Sequence, residues 1–261
     1  CLILGSVVSY AKARAEGLAR FLTRAGLNSV AVLAPQSAYG QAMTSAFTDV
    51  LRGTNVQVVL SETFAENATT FRVQAQKLLE VQPAALYIPT SANQLELIAA
   101  QLASSGVLAT QRVNAKDGTL PPVRLLLSSA EGLGERLLKN AGRYLQGAVL
   151  SPISAAGLPL LSDGGSSSLS TLFSGYTQEI GEAPGALDAL GFDAVRLLRT
   201  ACGRATATGS ACTAAALPQL LRTVSTSGAT GPLSFDPSGL RAGDAVLYKI
   251  EGSSLRAQPV H

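Results

Sequence analysis

The sequence predicts an α/β fold in which a parallel sheet carries helices on both faces. Strand-like and helix-like segments alternate without a break from the start of the chain to about Leu150. The strand-like segments are continuous apolar runs, as strands buried on both sides must be. The helix-like segments place their apolar residues three and four apart, which puts them on one face.

Leu2-Ile3-Leu4 reads as a short strand. Tyr10 to Ala25 follows as a helix with Ala15, Leu18, Leu22 and Ala25 on one face, and Gly26 ends it. Ser29 to Ala34 is a buried strand, and Pro35 to Gly40 is a loop. The next helix carries Met43, Ala46, Phe47, Val50 and Leu51 in helical spacing. Val56 to Leu60 is a strand, and Thr69-Thr70 opens a helix bearing Phe71, Ala75, Leu78 and Leu79. Ala85 to Ile88 is a strand, followed by a helix from Gln94 to Ser105 with Leu95, Ile98, Ala99 and Leu102 inward. Val123 to Ser128 (strand), Gly134 to Ala141 (helix) and Gly147 to Leu150 (strand) close the series.

The pattern then changes, which divides the chain into 1–150, a crossover at 151–168, a helical part at 169–228 and closing strands at 229–261. The crossover is Pro/Gly/Ser-rich over Ser154 to Ser168. Helices are expected at Leu169 to Ile180, Ala186 to Ala201 and Leu217 to Val224. Strands are expected at Leu233 to Phe235 and Ala245 to Ile250, with a turn at Asp236-Pro237-Ser238-Gly239 between them.

Composition narrows the function classes. Only 14% of the 261 residues are charged, so the chain is no disordered acidic or basic tail. Net charge is +3 with lysines and arginines scattered singly, which leaves no stripe to track a nucleic-acid backbone. No apolar run approaches the roughly 18 residues of a membrane span. Cys1 is followed by neither a basic start nor a cleavage site, so the numbering is expected to begin after any export signal or within a larger protein.

The catalytic inventory is thin. The one histidine is His261, at the end of the chain, where a positioned imidazole is rarely found. No GxSxG elbow or GxxxxGK[ST] loop occurs. Glu131-Gly132-Leu133-Gly134 follows a strand but lacks the third glycine of a dinucleotide fingerprint, and Glu131 would repel a phosphate. The reading is of a non-enzyme with no catalytic set, metal ligands or cofactor. Cys202 and Cys212 flank a short polar loop that can close as a disulfide, worth about 2.5–3 kcal/mol by loop-closure entropy. Two unpaired thiols are the alternative. Asn67-Ala68-Thr69 matches a glycosylation sequon by chance.

Four segments, in order, resemble the branched-chain amino-acid receptors of ABC transporters, which are type I periplasmic binding proteins. They are SVAVLAPQSAYGQAMTSAF (29–47), SSAEGLGERLLKNAGRYLQGAVLSP (128–152), GFDAVRLLRTA (191–201) and GPLSFDPSGLRAGDAVLYKIEGSSL (231–255). The resemblance implies that 1–150 is the second lobe of a two-lobed clamp and that the rest supplies part of the first. The family's opening part is expected to be missing, with Leu2-Ile3-Leu4 standing where the strand before the crossover would be. Cys1 is then an interior boundary or a lipidation site. The family's contacts fall on Tyr39 of the Tyr-Gly pair and on Glu131, which would pair with a ligand α-ammonium. The alternative is that Tyr39 caps a loop and Glu131 caps the following helix. Ser37, Ala38, Thr90, Ser91 and Ala92 are placed on loops at the same end of the sheet. The receptors usually carry an aromatic near Ser91-Ala92, and this chain has none.

LYIPTSANQLELIAAQLASSG (86–106) also resembles lipoprotein activators of penicillin-binding proteins, which use the same fold as an interaction module. The expectation is therefore a bacterial extracytoplasmic receptor, periplasmic or lipid-anchored, for a small, amino-acid-like polar ligand. Its protein partner would be an ABC permease or a penicillin-binding protein. An enzyme built on the same sheet remains a third class, because fold does not fix function.

Overall fold

A computed structural model describes residues 2–108, 122–153, 158, 160–161, 167–182, 184–236, 239, 241–242 and 245–258. Cys1, His261, much of the crossover (154–157, 159 and 162–166) and the turn positions 237–238 lie outside the described residues. The chain divides into two units. The larger comprises Arg14–Pro152, Leu158–Asp163 and Val246–His261, and the smaller comprises Cys1–Ala13, Ile153–Gly157 and Gly164–Ala245.

The larger unit is built on one eight-stranded sheet in the order β2-β1-β3-β4-β5-β9-β10-β6. The first five strands are mutually parallel: β2 (Gln57–Phe64), β1 (Ser29–Pro35), β3 (Ala85–Ile88), β4 (Leu125–Ser128) and β5 (Val149–Leu150). Helices α2 (Ala38–Leu51), α3 (Arg72–Val81), α4 (Ala92–Ser104) and α5 (Glu135–Ala141) form the connections. Because crossovers are right-handed, the reversal of strand order between β1 and β3 distributes these helices over both faces. The central strands are buried along their length, with Val30, Ala31, Ala85, Leu86 and Ile88 at 0% exposure. The facing helices contribute Met43, Phe47, Leu95, Ile98 and Leu102. Phe47 of α2 stacks on Tyr87 of β3 with ring centroids 4.0 Å apart.

The sheet continues with a hairpin from the end of the chain. β9 (Leu247–Glu251) pairs antiparallel with β5 and with β10 (Ser254–Gln258), and β10 pairs parallel with the short β6 (Leu160–Leu161).

The corner between β1 and α2 is tight. Ser37 caps α2 by accepting a bond from the Gly40 N–H at 3.2 Å. Gly40 leaves no room for a side chain: a Cβ there would press on the Pro35 carbonyl oxygen and come within 3.0 Å of its ring.

Two local expectations are corrected. Leu2-Ile3-Leu4 is not a strand; α1 is one helix from Leu2 to Arg24. The sequence explains this, because positions 4, 8, 11, 15, 18 and 22 hold Leu, Val, Ala, Ala, Leu and Leu in unbroken helical spacing. The polar loop after Cys202 is also shorter than expected, since α7 runs Ala186–Ala207 before Gly209 turns the chain at φ +73°. Ala205 extends the buried stripe formed by Ala189 and Ala201, so helix is favoured past Cys202.

The smaller unit contains α6 (Ser167–Ile180), α7, α8 (Leu217–Arg222) and a two-stranded sheet of β7 (Thr226–Gly228) and β8 (Gly231–Leu233). Its interior holds a polar cluster. Asp193 of α7 accepts from the backbone N–H of Ala229 and Thr230, and from the Thr230 hydroxyl. Arg241 donates to the Thr230 hydroxyl and carbonyl, each at 2.8 Å, and to the Pro232 carbonyl. All three side chains are buried, so each donor and acceptor needs such a partner. Cys202 and Cys212 are bonded in the structure, with Cα atoms 5.1 Å apart.

Gly40→Ala should lower unfolding free energy by about 1–3 kcal/mol, because an overpacked corner must shift. Gly53→Ala, where an added Cβ meets nothing within 4 Å, should stay within about 0.5 kcal/mol in the same urea titration.

Candidate functional site

In an open parallel sheet, ligands bind beyond the carboxyl ends of the strands where the strand order reverses. Here that point lies between β1 and β3. Beyond β1 the expected loop Pro35–Gly40 is shorter, since Ser37 caps α2 and Ala38 and Tyr39 lie in its first turn. Beyond β3 come Thr90, the α4 cap Ser91 and Ala92 at the start of α4, and the loop after β4 carries Ser129–Gly132.

Glu131 is held on its loop from both sides. Its N–H donates to the Thr90 carbonyl at 3.0 Å, and its carbonyl accepts from Ala92 N–H at 2.7 Å. Ser91 and Glu131 thus form an isolated parallel bridge that extends the β3–β4 pairing past the strand ends. Ala130 has φ +46° and Gly132 φ +69°, so Glu131 sits between two left-handed residues. For alanine that conformation costs roughly 1–2 kcal/mol, and such strain collects at functional sites.

The Glu131 carboxylate does not cap α5, whose N-cap is Gly134. Its Oε1 accepts from the Tyr39 hydroxyl and from Arg14 Nη1. Arg14 also donates through Nε to the Ser151 carbonyl, and through Nη2 to the Ser129 carbonyl at 2.8 Å. Its side chain is 2% exposed, against 23% for Glu131. The guanidinium therefore ties the ends of β4 and β5 together and fixes the carboxylate that follows β4. Burial pushes the Tyr39 phenol well above its ordinary value of 10.0, the Arg14 charge opposes this, and Glu131 adds to it. Tyr39 is thus a neutral donor at any physiological pH. Tyr87 is fully buried and also raised, chiefly by burial. Among the described residues its hydroxyl and that of Ser151 have no hydrogen-bond partner.

The residues singled out in the sequence thus separate into groups. Tyr39 and Glu131 meet directly, and Thr90, Ser91 and Ala92 hold the Glu131 backbone. Ser37 commits its hydroxyl to the α2 cap, while Ala38 is exposed at the start of that helix. Arg14 was missed. Its signal was its place four residues before Leu18 and eight before Leu22, on the apolar stripe of α1, where an arginine must find buried partners.

A doubly wound sheet of this order, with loops converging at its switch point, is the architecture of the type I periplasmic binding proteins. The periplasmic binding protein family model matches residues 5–253, and the chain belongs to that family. No curated protein matches the sequence. Among solved structures, one from Rhodospirillum rubrum, described as a putative branched-chain amino-acid ABC transporter, superposes with a TM-score of 0.72 at 20% identity. It is matched over 95% of this chain and 65% of its own. A leucine-binding protein of Thermotoga maritima gives 0.68 at 19% identity, over 94% and 64%. A solute-binding protein of an R. palustris ABC transporter, in complex with benzoate, gives 0.70 at 15%, over 95% and 62%. The chain therefore spans less than two thirds of the length of these structures. Among the described residues, no helix is long and apolar enough to cross a membrane.

Glu131→Gln should destabilise by about 3 kcal/mol, since it strands a buried guanidinium. Adding Arg14→Met should restore more than half of that loss in urea unfolding. Tyr39 titrates higher folded than unfolded, so its contribution is complete below about pH 10 and falls as pH rises beyond. Tyr39→Phe should flatten part of the alkaline loss of stability.

Proposed function

We propose that the chain is the ligand-binding part of a bacterial extracytoplasmic solute receptor that serves an ABC-type permease and performs no catalysis. The observation that carries this reading is the contact of Tyr39, in the first turn of α2, with Glu131, on a loop ordered by backbone pairing beyond the carboxyl ends of the strands. Family membership supports it. The larger unit would correspond to the second lobe of the family's clamp and the smaller unit to part of the first. The bonded Cys202 and Cys212 fit an oxidising compartment.

The ligand class is a small polar solute, an amino acid or a relative. Fold neighbours include a leucine-binding protein, a protein in complex with isoleucine and another in complex with benzoate. A second reading, an interaction module acting on a penicillin-binding protein, rests on the 86–106 segment and on the missing aromatic beside Ser91-Ala92.

Thermal unfolding of the intact protein against amino acids, small carboxylic acids and cell-wall fragments separates the two. A ligand at a hundred times its Kd adds about 2.7 kcal/mol, or roughly 5–10 °C for a domain of this size. A selective shift of that order is expected. A flat response from folded protein overturns the receptor and favours the interaction module.

A further inference from the structure

Glu131 is not a bare carboxylate. Its Oε1 is occupied by Tyr39 and Arg14, while Oε2 has no protein partner among the described residues. At 23% side-chain exposure Glu131 is reachable from outside, whereas Arg14 at 2% is not. Arg14 cannot swing away either, because Nε and Nη2 are committed to the carbonyls of Ser151 and Ser129. With Tyr39 neutral, the set of Arg14, Glu131 and Tyr39 carries no net charge.

That balance decides what Oε2 can usefully accept. An ammonium group at Oε2 is attracted by Glu131 and repelled by the guanidinium bound to Oε1, so a sizeable part of the Coulomb gain cancels. The cost of stripping water from the ammonium remains. A hydroxyl donor makes the same hydrogen bond to a charged acceptor with far less desolvation.

We propose that Arg14 sets the charge class of the ligand: the Glu131 subsite takes an uncharged hydroxyl donor in place of an ammonium. The inference rests on the receptor reading and narrows its solute to hydroxyl-bearing molecules. Arg14 acts through Glu131 and is a positioning residue.

The test is calorimetric titration of the intact protein with matched pairs that differ only in this group: glycolate and glycine, lactate and alanine, 2-hydroxyisovalerate and valine, mandelate and phenylglycine. The hydroxy member should bind at least tenfold tighter in any pair that binds. Arg14→Met, which leaves Glu131 uncompensated, should move that ratio at least tenfold toward the amine. A purely structural role for Arg14 would weaken both members alike. Arg14→Lys, which keeps the charge, should preserve the preference and serves as the reading if Arg14→Met does not fold. Equal or tighter binding of the amines to the unaltered protein overturns the inference and leaves the receptor reading standing. No binding by any pair overturns the inference. If the wider solute panel is also silent, the receptor reading falls with it.

Discussion

The buried guanidinium of Arg14 constrains everything around it. A charge held at 2% exposure is tolerable only where its N–H groups and its charge are matched, because desolvating an unpaired ion costs several kcal/mol. Two strand-end carbonyls and one carboxylate provide the match. The carbonyls are available because parallel strands end with their C=O groups on the same edge. The carboxylate is available because the loop after β4 turns through left-handed Ala130 and Gly132 and delivers Glu131 to that edge. The left-handed turn, the extended pairing of Ser91 with Glu131 and the Tyr39 hydroxyl all converge on the carboxylate that neutralises this one cation.

The smaller unit solves a related problem with its own polar cluster. Few large apolar side chains are buried along α7, whose inward stripe is Ala189, Asp193, Ala201 and Ala205. Small residues allow close approach but supply little hydrophobic energy. Asp193 instead draws in the Ala229-Thr230 turn, and Arg241 clasps the same turn from the other side. A fully satisfied buried network of this kind specifies one arrangement where an alanine-lined interface alone would allow several. Gly228 belongs to the same design, since a Cβ there would collide with the Asp193 carboxylate.

The parallel part of the fold was legible because its elements obey simple periodicities. Ser29 to Ala34 and Ala85–Ile88 read as strands, and the Leu95 and Met43 stripes as helices, since burial on one or both sides dictates composition. Boundaries were less legible: β2 extends to Phe64 and α7 to Ala207, where neighbours rather than local pattern set the end. Leu2-Ile3-Leu4 was misjudged because three apolar residues suit either element, and only the longer repeat into α1 distinguishes them. In the site, Tyr39 and Glu131 could be singled out by resemblance, but their meeting could not, being a contact across 92 positions. Arg14 is further still, 117 positions from Glu131, and a lone arginine on a helix is normally read as a solvated one.

The hairpin of β9 and β10 sets the order in which this protein can be completed. Strands β1 to β5 are local in the chain, yet the outer edge of β5 pairs with Leu247–Glu251, about a hundred residues further on. Until Leu247–Glu251 joins the sheet, the outer edge of β5 presents unpaired backbone groups, beside the place where Leu247, Ile250 and Leu255 are later buried. Pairings of such long sequence separation close slowly. Between the synthesis of Leu150 and that of Leu247 the growing chain therefore carries an adhesive sheet margin, the kind of exposed edge that invites association before the native partner strand arrives.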